Sequence, residues 1–370
     1  MISTPYIITL LCILIGKTHI NKKEKKHIEV LAFEVLRGVF ALQIVTVHFL
    51  SFISKDYSVI KDIFDHAFIM TGYFAVSAFF LFSGYGLFVS YSEKDNYLDN
   101  FVIKSFVKLF VPFSICNIIY YIWHYLSPYG YEELLPKQFF LSFFSSNNTD
   151  NSWYVFVIFW CYLFFFIAFN NSLSEKKKIV LFTVIILTFN IIQIIMLDEL
   201  SSDSIFSYLR QYYSTVVIVL GVLYARIESK IKIKRVDVKF ILLLLNFIAI
   251  FCAHKYVYLD NRIRLLGHEN GLFTSILVGL FIIQLCGLFD FSKKTVCRKL
   301  GEISFEIYLI HGLFIEIGAG IQMVWFADDR IATFAIYLLV IFATILSSIF
   351  IHRISKKIIR NIYKLLKMDL

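Results

Sequence analysis

Ten stretches of about 20 mostly apolar residues dominate this chain, and each is long enough for an α-helix to cross the hydrocarbon of a bilayer. They run approximately 32–53, 68–90, 106–126, 153–170, 179–197, 207–225, 239–256, 271–289, 303–325 and 331–351, with polar connections between them. Hydrophobic residues make up 59% of the chain and charged residues 17%, against roughly 45–50% and about 25% in a soluble globular protein. One soluble core cannot absorb that excess. With only 4 Pro in 370 residues to break the helices, the expected fold is all-α: a polytopic integral membrane protein with about ten transmembrane helices.

Three regions follow. Residues 1–30 hold an apolar segment and a basic linker, 31–352 the ten-helix unit, and 353–370 a basic tail. The segment from Tyr6 to Gly16 is short for a span and its lysines follow instead of preceding it, so it makes a poor signal peptide. It is either an eleventh span with an outside N-terminus or an artefact of the chosen start.

Basic residues fix an expected orientation. Connections on the side of the segment before the first span hold 27 Lys and Arg, those on the other side hold 7, and Arg37 and Arg210 fall within spans. The positive-inside bias therefore places both termini of the ten-helix unit in the cytoplasm of a cell-membrane protein. The same distribution accounts for the net charge of +9 without a nucleic-acid partner, which would need a basic face on a soluble domain. The six cysteines, Cys12, Cys116, Cys161, Cys252, Cys286 and Cys297, include no close pair of the kind a metal site uses, and read as reduced packing residues.

An ionisable side chain at mid-helix costs about 2.5–3.5 kcal/mol on insertion scales, so each one in a span is a candidate for function. The first span carries Glu34, Arg37 and His48. Eleven residues separate Arg37 from His48, about three turns and roughly 16 Å, which puts both on one face and suggests the wall of a polar channel. A plainer alternative pairs Glu34 with Arg37 at the interface and leaves His48 bonded to a neighbouring helix. In the ninth span Ser304, Tyr308 and His311 share a face, with Glu306 turned away; such a stripe also glues helices together. Ser83, Gly84 and Gly86 of the second span permit close backbone approach. Lys104 and Lys108 lie one turn apart at the cytoplasmic edge of the third, suited to phosphates or to lipid head groups. Trp153 and Tyr154 open the fourth, where an aromatic belt would also place them.

Taken in order, Leu36-Arg37-Gly38 with His48, Phe79-Phe80 with Ser83-Gly84-Tyr85, Lys108 with Pro112, Trp153-Tyr154, and Ser304, Tyr308 and His311 resemble the integral-membrane acyltransferases of family 3, which O-acylate sugars of bacterial surface polysaccharides, lipopolysaccharides, Nod factors and macrolides. The resemblance runs from residue 31 to about 350. Where many relatives have an Arg pair ahead of the third span, this chain has Lys104 and Lys108, without the bidentate fork of Arg. Glu306 stands where relatives more often have an uncharged residue, and no esterase-like domain is expected after the tenth span.

The resemblance implies an acyl-CoA co-substrate, expected to be acetyl-CoA, entering from the cytoplasm, no bound cofactor or metal, and a carbohydrate or lipid-linked sugar as acceptor. His48 is the expected general base, since imidazole titrates near neutrality. Arg37, Lys104 and Lys108 are the expected donor-binding groups, and Ser304, Tyr308 and Trp153 the acceptor-positioning ones. His311 lies nearer the cytoplasmic end of its helix than His48 does, so the two imidazoles are expected at different depths with different tasks; His311 would position the acceptor, stabilise charge, or carry the acyl group as an acyl-imidazole. A transporter or flippase for a glycolipid or organic acid is the rival class, and would call for inverted halves with paired broken spans, which the sequence lacks.

Overall fold

The computed structural model of the chain describes residues 19–20, 30–54, 63–126, 153–196, 215–230, 235–259, 272–291, 295–326 and 329–368. The Tyr6–Gly16 segment, Arg210 and the connection from Ser127 to Ser152 lie outside these residues.

Every one of the ten apolar stretches carries a helix: α1 Val30–Ser54, α2 Ile63–Glu93, α3 Phe101–Leu126, α4 Trp153–Phe169, α5 Glu175–Met196, α6 Val216–Ile227, α7 Val236–Leu259, α8 Leu272–Leu288, α10 Ser304–Trp325 and α11 Arg330–Leu365. A further short helix, α9 (Thr295–Glu302), lies between α8 and α10. Among the described residues, six helices are long and apolar enough to cross a membrane, namely those over Ala32–Phe52, Phe74–Glu93, Phe101–Leu126, Val236–Ala253, Ser304–Trp325 and Arg330–Leu365, and the helices over 153–169, 216–227 and 273–288 are shorter apolar ones. The fold is all-α and membrane-like. On α7, Phe240, Ile241, Leu244, Leu245 and Phe247 all point outward, an arrangement that a hydrocarbon surrounding makes favourable.

Lipid gives helices no hydrophobic reason to associate, so contact rests on close backbone approach and on buried polar bonds. Gly84 of α2 and Gly221 of α6 supply the first. A Cβ on Gly84 would stand 1.9 Å from the carbonyl oxygen of Ile218, and one on Gly221 would stand 2.2 Å from that of Leu81. Gly38 of α1 and Gly301 of α9 make a second such crossing, in which a Cβ on Gly301 would meet the carbonyl oxygen of Glu34 at 1.9 Å. Polar bonds supply the rest. Thr46 meets the Tyr337 hydroxyl at 2.8 Å between α1 and α11, Gln43 donates to the Thr71 carbonyl between α1 and α2, and Asn190 donates to Thr215 where α5 meets α6.

One end of the bundle gathers the basic connections. There the last turns of α11 meet the start of α3, with the Tyr363 hydroxyl donating to the Lys104 carbonyl. At the same end Lys178 of α5 donates to the hydroxyl of Tyr91 on α2, and Arg226 of α6 pairs with Glu175 of α5 at 2.7 Å. A two-residue antiparallel pairing of β1 (His19–Ile20) with β2 (Phe289–Asp290) ties the chain ahead of α1 to the end of α8. With 36 residues, α11 is about 54 Å long, far more than a bilayer core needs. The residues of the basic tail from Arg353 to Lys364 therefore continue the helix without a break.

Candidate active site

At that same end, α1, α2, α3, α4 and α10 surround a cavity of about 580 Å³, within the range of pockets that hold small molecules and cofactors. Its charge is lopsided. Arg37 of α1, Lys94 from the turn after α2, and Lys104 and Lys108 of α3 line it, with Asp95 the single carboxylate on the wall among the described residues. Phe101 opens α3 and starts a helix whose one-turn spacing turns both lysines to the same side. The Arg37 guanidinium lies 5.9 Å from the centre of the Phe82 ring, a cation–π contact that holds the side chain over α2. Of the three ionisable residues of α1, Arg37 lines this wall and neither Glu34 nor His48 does.

Polar side chains complete the wall: Ser83 of α2, Tyr154 and Tyr162 of α4, and Ser304 and Tyr308 of α10. Tyr154 and Tyr308 sit against each other with ring centres 5.2 Å apart. Ser304 donates its hydroxyl to the Gly301 carbonyl at 2.8 Å, fixing the step from α9 into α10. Gly86, grouped in the sequence with the packing glycines, has open space on its Cβ side and lines the cavity instead.

One turn beyond Tyr308, the histidines of the first and ninth apolar stretches meet. Nε2 of His311 lies 3.1 Å from Nδ1 of His48, and the ring centres are 5.0 Å apart. Nδ1 of His311 lies 2.7 Å from the backbone carbonyl oxygen of Tyr308. His311 is fully buried, whereas His48 is exposed. Tyr120 of α3 pins this part of α10, its hydroxyl accepting the backbone N–H of Leu313 at 2.8 Å.

This meeting corrects the expected difference in depth. A start for the ninth span level with that of the first puts His311 too shallow, but the Gly38–Gly301 crossing sets Gly301 beside Glu34. From Glu34 to His48 is fourteen residues and from Gly301 to His311 ten, a difference of about 6 Å along a helix axis. Helix tilt and two imidazole side chains cover it. The eight residues of α9 set this register, and they read in the sequence as an ordinary polar connection.

The remaining expected residues fall as follows. Arg37, Lys104, Lys108, Ser304 and Tyr308 share the cavity; Trp153 does not line it, and packs its ring edge-on to Tyr154 at 6.0 Å between centres. Lys94, Tyr154, Tyr162 and Ser83 belong to the wall as well. Lys94 carried a signal only as one charge in a basic connection, and Tyr154 only as the neighbour of Trp153. Glu306, unexplained by the sequence, accepts a hydrogen bond from Nδ1 of His352 on α11 at 2.8 Å. Among the described residues no group of three or more His, Cys, Asp or Glu is gathered as metal ligands.

The helical unit thus carries a basic, tyrosine-walled cavity with a histidine pair beside it. A family model described as an acyltransferase domain matches residues 30–353, and the chain belongs to that family, the integral-membrane acyltransferases of family 3. No curated protein and no solved structure matches it.

Proposed function

We propose that the protein moves an acyl group, expected to be acetyl, from acyl-CoA to a hydroxyl of a cell-surface carbohydrate or lipid-linked sugar. The observation that carries this reading is the placement of the His48–His311 pair one turn behind Tyr308, which itself lines a cavity with four cations. Those cations suit the phosphates of CoA, because charge-assisted N–H···O contacts are the strong ones. The thioester end of the donor then points at Tyr308 and the imidazoles. His48 takes the proton of the acceptor hydroxyl as its oxygen attacks the thioester carbonyl, and the CoA thiolate departs. Arg37, nearer the mouth, binds the donor phosphates or polarises the carbonyl.

In this reading the ten helices span the cell membrane with both termini of the unit, and the cavity mouth, in the cytoplasm. The test is incubation of the purified protein in lipid nanodiscs with acetyl-labelled acetyl-CoA and membrane carbohydrate extract. Label should pass to the carbohydrate fraction, or to acetate when extract is withheld. Label that stays on CoA under both conditions overturns the reading.

A further inference from the structure

We propose that His311 is a positioning residue that sets the tautomer of His48, so that Nε2 of His48 is the nitrogen that accepts the proton of the acceptor hydroxyl. The proposal rests on the acyl-transfer reading for its chemistry, but its geometry stands without it.

A backbone carbonyl has only lone pairs to offer, so the 2.7 Å contact of His311 Nδ1 with the Tyr308 oxygen requires the hydrogen on Nδ1. A neutral imidazole carries one N–H, and Nε2 of His311 is therefore the lone-pair nitrogen. That nitrogen faces Nδ1 of His48 at 3.1 Å. Two lone pairs at this separation would repel, so His48 supplies the hydrogen from Nδ1. Its own lone pair is then at Nε2, the ring nitrogen farthest from the backbone. The carbonyl on α10 thus dictates, through two imidazoles, which end of the His48 ring is basic. The orientation runs from the buried ring to the exposed one, since His311 has no accessible surface and His48 does.

The same arrangement supports the proton transfer. When the acceptor hydroxyl loses its proton to Nε2, His48 becomes an imidazolium whose Nδ1–H already points at the lone pair of His311. The new charge is met by a hydrogen bond in place before the reaction, which is how a fixed donor–acceptor chain lowers a barrier without rearranging. No bond to His311 forms or breaks. The proton stays on His48 until the departing CoA thiolate or bulk water takes it. The roles differ for the two rings: His48 touches the reacting hydroxyl, and His311 acts through His48.

The two roles separate in substitution. His311→Gln places an amide oxygen near the former Nε2, where it accepts from His48 Nδ1–H, whereas His311→Leu removes the acceptor. With acetyl-labelled acetyl-CoA and the full-length protein in nanodiscs, we expect His311→Gln to keep kcat within about tenfold of wild type and His311→Leu to lose about 10²-fold or more. The KM for acetyl-CoA should be unchanged in both, since the cations of the cavity are untouched. A second readout needs no turnover: in ¹⁵N-histidine-labelled wild type, with the His48 resonances assigned by their loss in His48→Gln, the proton should sit on Nδ1, and in His311→Leu it should redistribute to Nε2. A His311→Gln variant as inactive as His311→Leu makes His311 itself a reacting group and overturns the proposal, as does wild-type His48 protonated on Nε2. If wild type turns over no acetyl-CoA, the acyl-transfer reading falls, and the tautomer measurement still decides the positioning claim.

Discussion

Glu306 of α10 accepts a hydrogen bond from Nδ1 of His352 on α11 at 2.8 Å, with 6% of the Glu306 side chain and 20% of the His352 side chain exposed. A buried carboxylate is tolerable only when paired, and removing one partner of such a pair costs about 3–5 kcal/mol because the other charge is stranded. The pair holds α11 against the first turns of α10, the helix that carries Tyr308 and His311. We expect His352→Leu to lower the thermal unfolding midpoint in detergent sharply, and the double change Glu306→Leu with His352→Leu to recover most of the loss. Two additive losses would show that the residues do not act as a pair.

His48 is the residue whose loss should cost chemistry without costing structure. Its ring lies at the exposed end of the imidazole pair. His48→Ala should insert normally and bind acyl-CoA while transfer falls by a typical ~10²–10⁴-fold. His48→Gln should not rescue transfer, because an amide keeps the hydrogen-bonding reach of imidazole but accepts no proton near neutral pH. Near wild-type transfer by the Gln variant, measured with labelled acetyl-CoA, would make His48 a packing residue.

The α2–α6 crossing predicts a purely structural failure. A methyl group on Gly221 would lie 2.2 Å from the Leu81 carbonyl oxygen and 2.7 Å from the Tyr85 nitrogen, both backbone atoms that cannot swing aside. Overpacking of this kind costs typically ~1–3 kcal/mol. Gly221→Ala should therefore lower the unfolding midpoint, whereas Gly86→Ala, facing open space, should not. The control has its own consequence, since Gly86 borders the cavity, and a raised KM for acyl-CoA with unchanged stability is the expected outcome there.

The helices were legible in the sequence because lipid imposes a length and a composition on each, and all ten apolar stretches carry one. Arg37, Lys104, Lys108, Ser304 and Tyr308 were legible as parts of one site because intramembrane polar residues are expensive and so few in number. What escaped was register between helices far apart in the chain. His48 and His311 are 263 residues apart, and their meeting depends on where α9 sets the start of α10, which periodicity within a single helix does not encode. Glu306 escaped for the same reason, its partner lying 46 residues away on the last helix. Lys94 escaped for a different one: it stands in a polar turn, where a lysine is the default, and only the folding of that turn against the cavity puts it on the wall.

That turn supplies the last prediction. Lys94, Lys104 and Lys108 line the cavity with Arg37, opposed among the described residues by Asp95 alone, so the three lysines should act together on an anionic donor. Each is a strongly hydrated point charge, without the fork of an arginine, so each contributes mostly through attraction that is alike in ground and transition states. Such groups change KM and leave kcat nearly alone. Replacing Lys104 and Lys108 with Gln should raise the KM for acyl-CoA about tenfold or more, on the scale of hydrogen bonds to charged groups, and adding Lys94→Gln should raise it further. Salt should have the matching effect, with rising ionic strength weakening donor binding in wild type more than in the triple variant. Arg360→Gln serves as the control, because Arg360 is exposed on α11 and absent from the cavity wall. Donor kinetics unchanged by the triple substitution would move the lysines from donor binding to contact with lipid head groups.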